Sequence, residues 1–268
     1  MVEEFLKLVK GHKVVAFTGA GASAESGVPT FHGERGLWTK YDPAVFATIP
    51  DAFYTFLKDP QAIADFVVDF YETLLKANPN ATHRALAYLE KTGVVKGVIT
   101  QNIDNLHQFA GTENISELHG NSYRFVCRRC GYTRTKTKEE IRSTIPDFKK
   151  KNLSKKELIK HIFSFMGRCP CKKTLMSSVV FFGQGLPLAA LEKAHQLINQ
   201  AGVLLCIGTR GVVMPAASFP FYAKERGCKI IEINPEVSEI SPIADLRIIQ
   251  PAGLFFSSVL ECLDNLNA

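Results

Sequence analysis

The sequence predicts an α/β protein with a doubly wound, mostly parallel sheet and a smaller second domain. Three observations predict this fold class. Short apolar runs rich in β-branched residues alternate with amphipathic helical stretches, a glycine-rich loop follows the first run, and two segments interrupt the alternation. A chain of 268 residues is long enough for one large domain that carries a small one.

The alternating elements can be read in order along the chain. Continuous apolar runs are typical of strands buried on both faces, and they occur at residues 14–17, 94–99, 179–182, 203–207 and 230–233. Helical patterns lie between or after several of these runs, at residues 81–91, 188–200, 216–226 and 254–266. In a sheet built this way, ligands bind at the carboxyl ends of the strands.

Two segments lack this alternation. Residues 32–80 contain loops and one helical pattern near 62–75, and residues 123–177 contain cysteines, lysine runs and polar helices with few strands. We therefore predict a large domain from residues 1–31, 81–122 and 178–268, and a small domain from residues 32–80 and 123–177.

The composition is that of an ordinary globular protein, with 46% hydrophobic and 22% charged residues. No apolar run reaches the roughly 18 residues that a membrane helix needs, and the amphipathic start is unlike a secretory signal. We therefore expect a cytoplasmic protein with no membrane partner. The net charge of +6 favours polyanionic partners only weakly, and the lysine runs at 149–151 and 155–156 are predicted to coat a solvated face.

The glycine-rich loop, TGAGASAESGVP at residues 18–29, follows the first apolar run. Glycines here let backbone N–H groups approach a pyrophosphate, as in Rossmann-like folds, although the pattern alone also fits a plain tight turn. Gly27 and Pro29 stop any helix early, unlike in a dehydrogenase. The chain then leaves as a loop through Phe31 and His32, which can cover a bound cofactor. These features predict nucleotide binding without hydride transfer.

Polar residues and a histidine follow the next predicted strands. The stretch TQNIDNLH at residues 100–107 lies at the carboxyl end of a buried run, where side chains face the ligand crevice; alternatively, its Asn and Asp residues cap the following helix. His119, between Leu118 and Gly120, can act as a general base at neutral pH. The alternative for His119 is a structural hydrogen bond.

Four cysteines form two close pairs, Cys127 with Cys130 and Cys169 with Cys171. Four thiolates are the number that a closed structural zinc site needs, whereas free core thiols are the alternative. The second pair is separated by one residue only, and His161 can replace a ligand if that spacing fails. The sequence therefore predicts one structural Zn²⁺ in the small domain.

The motifs together resemble the sirtuin family of NAD-dependent protein-lysine deacylases, in a divergent prokaryotic form. The resemblance extends from Val14 to the last helix and rests on the order and spacing of GAGAS at 19–23, QNID at 101–104, LHG at 118–120, FG at 182–183, GT at 208–209 and INPE at 233–236. It implies a Rossmann-like NAD-binding domain and a small domain with a helical and a zinc module. It also implies attack of an acyl-lysine oxygen on the NAD ribose, which yields nicotinamide, free lysine and O-acyl-ADP-ribose.

The resemblance also implies which residues do this work. Catalysis falls to His119 as the base, with Asn102 and Asp104 in the nicotinamide pocket. The expected cofactor-binding residues are Gly19, Ala20, Gly21, Ala22, Ser23, Glu25, Thr30, Phe31, His32, Trp38, Gln101, Asn102, Ile103, Asp104, Gly208, Thr209, Arg210, Asn234, Pro235, Glu236 and Ala252. The expected contacts of the acylated lysine of a protein or peptide are Val180, Phe182, Gly183, Val213 and Tyr71.

Several positions depart from the family pattern. His32 stands where an arginine is usual, Arg210 where a serine is usual, and Gln184 where a glutamate is usual. These changes leave open slow turnover or a mono-ADP-ribosyltransferase on the same fold, and an inactive NAD-binding sensor is a further alternative. Tyr71 and Leu74 occupy the positions of a Tyr-x-x-Arg pair that binds acidic acyl groups. With Leu74 in place of the arginine, acetyl or longer apolar acyl groups are expected.

A zinc module with basic residues leaves one further alternative open, contact with nucleic acid. No aromatic-rich surface for reading bases is evident in the sequence, so direct binding of nucleic acid is not expected.

Overall fold

The computed structural model describes residues 1–30, 41 and 48–267, and the chain divides into two compact units. Unit 1 comprises Met1–Thr30, Asn78–His119 and Leu186–Ala268, and unit 2 comprises Phe31–Ala77 and Gly120–Gly185. The sequence places its domain boundaries at residues 81, 123 and 178, whereas the compact units change at Asn78, Gly120 and Leu186. The assignment of two domains with these functions stays a prediction.

The elements are named here in chain order. The strands are β1 (Val14–Thr18), β2 (Val95–Thr100), β3 (Ile115–Glu117), β4 (Arg124–Val126), β5 (Thr133–Thr135), β6 (Met176–Ser177), β7 (Val203–Ile207), β8 (Lys229–Ile233) and β9 (Leu246–Ile248). The helices are α1 (Val2–Val9), α2 (Ile49–Lys58), α3 (Pro60–Lys76), α4 (Ala81–Lys91), α5 (Leu106–Phe109), α6 (Lys138–Phe148), α7 (Lys155–Met166), α8 (Leu188–Asn199), α9 (Ser218–Glu225) and α10 (Ala252–Asn267).

Unit 1 contains a parallel sheet with the strand order β3-β2-β1-β7-β8-β9. The chain moves outward from β1 to β3 and then returns to the centre at β7, so its direction across the sheet reverses between β1 and β7. The predicted doubly wound fold is therefore confirmed. Ligands of such sheets bind in the crevice at this reversal, outside the carboxyl ends of the central strands.

The two faces of the sheet are covered by different helices. One core cluster packs α1, α4 and α10 on the sheet, with Phe5 contacting the Phe255 ring edge-on at 5.1 Å between centroids. The other cluster packs α8 and α9 through Leu197, Ile198 and Phe219. Burial on both faces explains why the central strands are continuous apolar runs rather than alternating ones.

Unit 2 combines a small antiparallel sheet of order β5-β4-β6 with helices. Both helices inserted between β5 and β6 begin with capping boxes, in which Thr137 pairs with Glu140 for α6 and Ser154 pairs with Glu157 for α7. No helix in the described part of the chain combines the length and apolar character required to cross a membrane.

One predicted strand is wrong. Residues 179–182 form no ladder: the Ser178 N–H donates to the Arg124 carbonyl at 3.0 Å, and the N–H groups of Val179 and Phe181 donate to side chains before a turn begins at Phe182. A short apolar run is compatible with a buried strand or with a half-exposed segment, and here Phe182 is 51% exposed. The edge strands β3 and β9 are three residues each, too short to predict from periodicity.

Candidate active site

Two glycine loops cross at the centre of the unit 1 sheet. The Gly21 N–H donates to the Gly208 carbonyl at 2.8 Å, which joins the loop after β1 to the loop after β7. Gly208 has φ +58°, and a Cβ atom there would lie 2.4 Å from the Ala22 nitrogen; a Cβ on Gly21 would lie 2.6 Å from the Gly208 Cα. Only glycine fits both positions, because a side chain at either one would separate the loops. Without side chains there, a ligand can approach the loop backbone directly.

A buried hydroxyl connects this loop to the polar stretch after β2. Ser23 Oγ donates to Asp104 at 2.7 Å, accepts from Asn102 Nδ2 at 3.1 Å, and lies 3.3 Å from His83 Nε2. Asn102 Nδ2 also donates to the Gly19 carbonyl at 3.0 Å. The serine hydroxyl and the asparagine amide donors are thus used within the protein. Their role in this network is to fix the positions of Asp104 and Asn102.

Asp104 is itself held at both oxygens. Its Oδ1 accepts from the Leu106 N–H at 2.9 Å, so the residue also caps the short helix α5. Burial raises the pKa of the carboxyl, and the hydrogen bond from Ser23 opposes this rise. The two interpretations of this stretch, a helix cap and a residue of the ligand crevice, are therefore compatible for Asp104.

Two buried histidines lie behind the network, and sequence reasoning gave neither a role. His83 Nδ1 lies 3.0 Å from Asn80 Oδ1 and 3.3 Å from the Asn80 backbone nitrogen, and its Nε2 faces Ser23 Oγ. His107 Nε2 lies 3.0 Å from Thr18 Oγ1, and its ring centroid is 4.8 Å from that of His83. Burial lowers the pKa of His83 to about 2 and that of His107 to about 4, so both are neutral at pH 7. The signal in the sequence is the spacing of Asn80 and His83, which form a capping box at the start of α4.

His119 lies directly after β3 with one ring nitrogen fixed. Nδ1 is 2.9 Å from the Gln101 carbonyl oxygen, and because a carbonyl only accepts, Nδ1 carries the proton. The deprotonated Nε2 is then the basic atom. Burial lowers the pKa of His119 below its usual value, and the bond to the Gln101 carbonyl partly opposes this. The ring is therefore neutral at pH 7 and able to accept a proton.

The side chain of Gln101 extends the site toward β7. Its Nε2 donates to Thr209 Oγ1 at 2.9 Å, and Asn234 Nδ2 donates to the Thr209 carbonyl at 3.1 Å. Thr209 is buried between the two strand ends, whereas Arg210 is exposed. The loops after β1, β2, β7 and β8 therefore meet at one edge of the sheet and bring together most predicted cofactor residues of unit 1.

The loop after β8 is held by a buried acid that sequence reasoning missed. Glu232 is 2% exposed, accepts from Ser241 Oγ at 2.7 Å and from Arg247 Nε at 3.0 Å, and also accepts from Ser238. These bonds anchor the backbone that follows Asn234, where the predicted residues Pro235 and Glu236 are exposed.

Glu25 and Ala252 meet at the start of the last helix. The Glu25 carboxylate accepts from the Gly253 N–H, next to Ala252, so it caps the amino end of α10. This bond ties the glycine-rich loop to the helix and gives Glu25 a structural role; a contact with a cofactor stays a prediction. Thr30 is half-buried, whereas Phe31, His32 and Trp38 lie outside the described residues.

The predicted substrate residues are divided between the units. Val213 belongs to unit 1 and is half-buried, between the exposed residues Val212 and Met214 in the segment after β7. In unit 2, Val180 is half-buried, and a turn that includes Phe182 and Gly183 is closed by the Gln184 N–H, which donates to the Phe181 carbonyl at 3.1 Å.

Tyr71 is placed inside the core of unit 2. Its hydroxyl donates to the Ser122 carbonyl at 2.9 Å, and its ring packs edge-on against Phe165. Burial raises its pKa. Leu74, one helical turn later, is 2% exposed. The tyrosine hydroxyl donor is therefore already used in the folded unit, and contact with a substrate stays a prediction for Tyr71.

The four predicted zinc ligands converge in unit 2. All four sulfur atoms lie within 4.8 Å of one another, with Cys130 and Cys169 at 3.4 Å, Cys127 and Cys171 at 3.6 Å, and Cys130 and Cys171 at 3.8 Å. Tetrahedral Zn²⁺ with Zn–S bonds near 2.3 Å requires sulfurs about 3.8 Å apart. The thiols are free rather than disulfide-bonded. The set therefore fits a structural zinc ion.

Each cysteine pair lies in a tight turn, here called the first and second knuckle. The first, residues 127–132, is closed by the Cys127 N–H, which donates to the Tyr132 carbonyl at 2.8 Å. In the second, residues 169–173, the Cys169 N–H donates to the Lys173 carbonyl at 2.8 Å, and Lys172 takes a left-handed conformation that tightens the turn. His161 lies near Asp147 instead and does not belong to the group of ligands found among the described residues.

Comparisons with known proteins agree on one family. The model of the Sir2 family matches residues 19–215. A protein of Thermococcus kodakarensis, named NAD-dependent protein deacylase, is 45% identical over 262 residues, which cover 97% of this chain and 95% of that protein. A protein of Pyrococcus furiosus with the same name is 42% identical over an alignment that covers 95% of this chain and 94% of that protein.

Solved structures agree with the sequence relatives. A complex of a Sir2 homolog with NAD superposes with a TM-score of 0.78 at 35% identity, covering 99% of this chain and 95% of the other. A complex of Sir2 with a p53 peptide and NAD⁺ superposes with a TM-score of 0.75 at 32% identity, covering 97% of this chain and 98% of the other.

Proposed function

The chain belongs to the Sir2 family, and from this premise we propose that it is an NAD-dependent protein-lysine deacylase. The observation that carries the proposal is His119, a neutral imidazole whose Nδ1 is fixed by the Gln101 carbonyl and whose Nε2 is left to accept a proton. Relatives named as deacylases, and a neighbour bound to a peptide and NAD⁺, support the same reaction.

The backbone of unit 1 suits a dinucleotide. The loop of residues 19–23 would face the pyrophosphate, because Gly21 and Gly208 have no Cβ to occupy the approach. Asn102 keeps its Oδ1 free of partners among the described residues, so it can accept a hydrogen bond from a ribose hydroxyl. Thr209 and Asn234 would line the adenosine end of the same crevice.

His119 would supply the base in the chemical step. The acyl oxygen of the substrate lysine forms a bond to the ribose carbon as the bond from that carbon to nicotinamide breaks. His119 Nε2 takes the proton of a ribose hydroxyl, whose oxygen can then attack the acyl carbon. Water completes the release of free lysine and O-acyl-ADP-ribose. A positioned base of this kind contributes about 10²–10⁴-fold to a rate.

The acyl group is proposed to be acetyl or a longer apolar chain. Leu74 occupies the position where an arginine would pair with an acidic acyl group, and it is buried with no charge to offer. Tyr71 uses its hydroxyl donor on Ser122. A succinyl carboxylate would therefore find neither partner at these positions.

The zinc ion is proposed as a structural part of unit 2. The sulfur separations support it, as do the N–H groups of Cys130 and Arg129, which stabilise the Cys127 thiolate and lower its pKa. Four reduced thiols also support a cytoplasmic location, because an oxidising compartment would favour disulfides.

The test is a panel of acetyl, myristoyl and succinyl peptides with NAD, read by mass spectrometry. The expected products are nicotinamide and O-acyl-ADP-ribose from the apolar acyl peptides, with both products lost in His119→Asn. ADP-ribosylated protein as the main product would establish transferase activity instead. No nicotinamide release from any peptide would leave an NAD-binding sensor, and efficient desuccinylation would overturn the proposed acyl preference.

A further inference from the structure

The positive charge of this protein is concentrated in one segment of unit 2. Residues 120–185 contain 16 Lys and Arg against 4 Asp and Glu, a net charge of +12. The other 202 residues contain 16 Lys and Arg against 22 Asp and Glu, a net charge of −6. The modest total of +6 is thus the sum of a strongly basic segment and an acidic remainder of the chain. Such asymmetry indicates a polyanionic ligand for the basic part.

The segment contains only four acids, and Lys149 pairs with Glu72 outside it. Glu139 lies near Arg142, Glu140 pairs with Arg134, and Asp147 pairs with Lys150. Glu157 is held by Ser154 at the start of α7. Among the described residues, Lys155, Lys156 and Lys160 on α7 have no ion pair.

The exposed face of α7 combines these lysines with apolar side chains. Lys155, Ile159 and Phe163 follow one another at intervals of four residues, and Lys156 and Lys160 lie beside them. Ile159 is 41% exposed and Phe163 is 52% exposed, whereas Leu158 and Phe165 anchor the opposite face of the helix in unit 2. This face, here called the α7 face, presents an exposed aromatic ring in one row with Lys155 and beside the row of Lys156 and Lys160.

The α7 face continues into the zinc knuckles. The Gly167 N–H donates to the Phe163 carbonyl at 3.0 Å, and the chain then enters the second knuckle at Cys169. Lys172 and Lys173 are exposed there, as are Arg128 and Arg129 of the first knuckle. A zinc ion with four thiolates carries a net charge of −2, which the knuckle cations can offset. The charge of a zinc site does not account for the lysines of α7, which lie outside the knuckles.

From this arrangement we infer that the α7 face binds a single strand of nucleic acid without sequence preference. Unpaired lysines contact phosphates, and an exposed aromatic ring stacks on an unpaired base; this combination is typical of single-strand binding. Tyr132, 42% exposed in the first knuckle, offers a second ring. An acidic protein could pair with the lysines, but it has no bases to stack on the exposed aromatic ring. Neither phosphate contact nor base stacking involves the 2′-hydroxyl, so DNA and RNA of equal length should bind alike.

The test measures fluorescence anisotropy of a labelled 20-nucleotide dT strand with the zinc-loaded full chain, across a range of salt concentrations. Each phosphate contact contributes about 0.7 to the slope of log K against log salt for single strands. The triple variant K155Q/K156Q/K160Q should therefore reduce this slope by about 2. Phe163→Ala should weaken binding at least about fivefold, because base stacking is lost. The ring is exposed, so the variant should fold normally.

A matched control removes the same charge from unit 1. Lys7, Lys10 and Lys91 are exposed and have no ion pair among the described residues, so K7Q/K10Q/K91Q should keep the slope and the affinity. Equal loss in both triple variants would overturn the inference, since net charge alone would then explain binding. It would also be overturned if polyglutamate of the same charge competed as well as the dT strand, or if Phe163→Ala had no effect. Deacylation of a peptide should be unchanged in every variant.

Discussion

Replacing Gly208 with alanine should separate the two loops that form the candidate nucleotide site. At φ +58° a Cβ costs about 1–2 kcal/mol in backbone strain. The same Cβ would lie 2.4 Å from the Ala22 nitrogen, a clash with backbone that cannot rotate away, and overpacking of this kind costs a further 1–3 kcal/mol or so. We therefore expect Gly208→Ala to lower the free energy of unfolding by about 2–5 kcal/mol, measured by urea denaturation.

Gly227 provides the matched control for this prediction. It also has positive φ, +83°, but a Cβ there meets nothing within 4 Å. Gly227→Ala should therefore show the backbone strain alone, about 1–2 kcal/mol, with unchanged NAD binding. Calorimetry should find the NAD affinity of Gly208→Ala reduced at least tenfold. If the two variants were equally stable and bound NAD equally well, the close approach of the loops would not matter and the reasoning would be refuted.

Four further predictions concern single groups. The acid limb of kcat/KM should have its midpoint below pH 6.5, because burial lowers the pKa of His119, and a midpoint above 6.5 would contradict its assignment as the base. Ser23→Ala should destabilise unit 1 by about 1–3 kcal/mol in thermal unfolding, since two buried polar partners lose their hydrogen bond. Between pH 6.5 and about 4, His83 and His107 bind protons in the unfolded state but not in the folded one. The free energy of unfolding should therefore fall as the pH decreases, by about 2 kcal/mol for each at pH 5, and His107→Gln should halve this loss in urea titrations. Cys171→Ser should release zinc, measured by metal analysis, and unfold unit 2 as seen by circular dichroism, whereas full zinc retention would contradict a four-sulfur site.

Sequence periodicity predicted the elements that are long and buried. The run at 203–207 coincides with β7, and the helical pattern at 81–91 coincides with α4, because apolar burial and capping act in the same place. The run at 179–182 is also entirely apolar but forms no strand. Whether the backbone of this run pairs with another strand depends on which segments lie beside it in the fold. The local sequence pattern does not contain that information.

The candidate site divides in a similar way. Glycines and polar residues at strand ends identified the loops, because the parallel fold brings such ends to one edge. The same reasoning missed His83 and Glu232, whose burial depends on contacts across many residues of sequence. The Glu25 carboxylate is engaged at the start of α10, and its contact with a cofactor stays a prediction. A polar residue near a ligand-binding loop can stabilise the conformation of that loop instead of contacting the ligand.

The buried network explains why this site is built from groups that cannot change partners easily. Ser23 donates to Asp104 and accepts from Asn102, and Asn102 has both amide hydrogens occupied, so neither can rotate without leaving a buried polar atom unsatisfied. Only atoms such as Asn102 Oδ1 and His119 Nε2 are then left for a ligand. Because the donors are rigidly held, the acceptor atoms that remain also have fixed positions. A ribose hydroxyl can be placed within reach of a base only if the groups that bind it are fixed in this way.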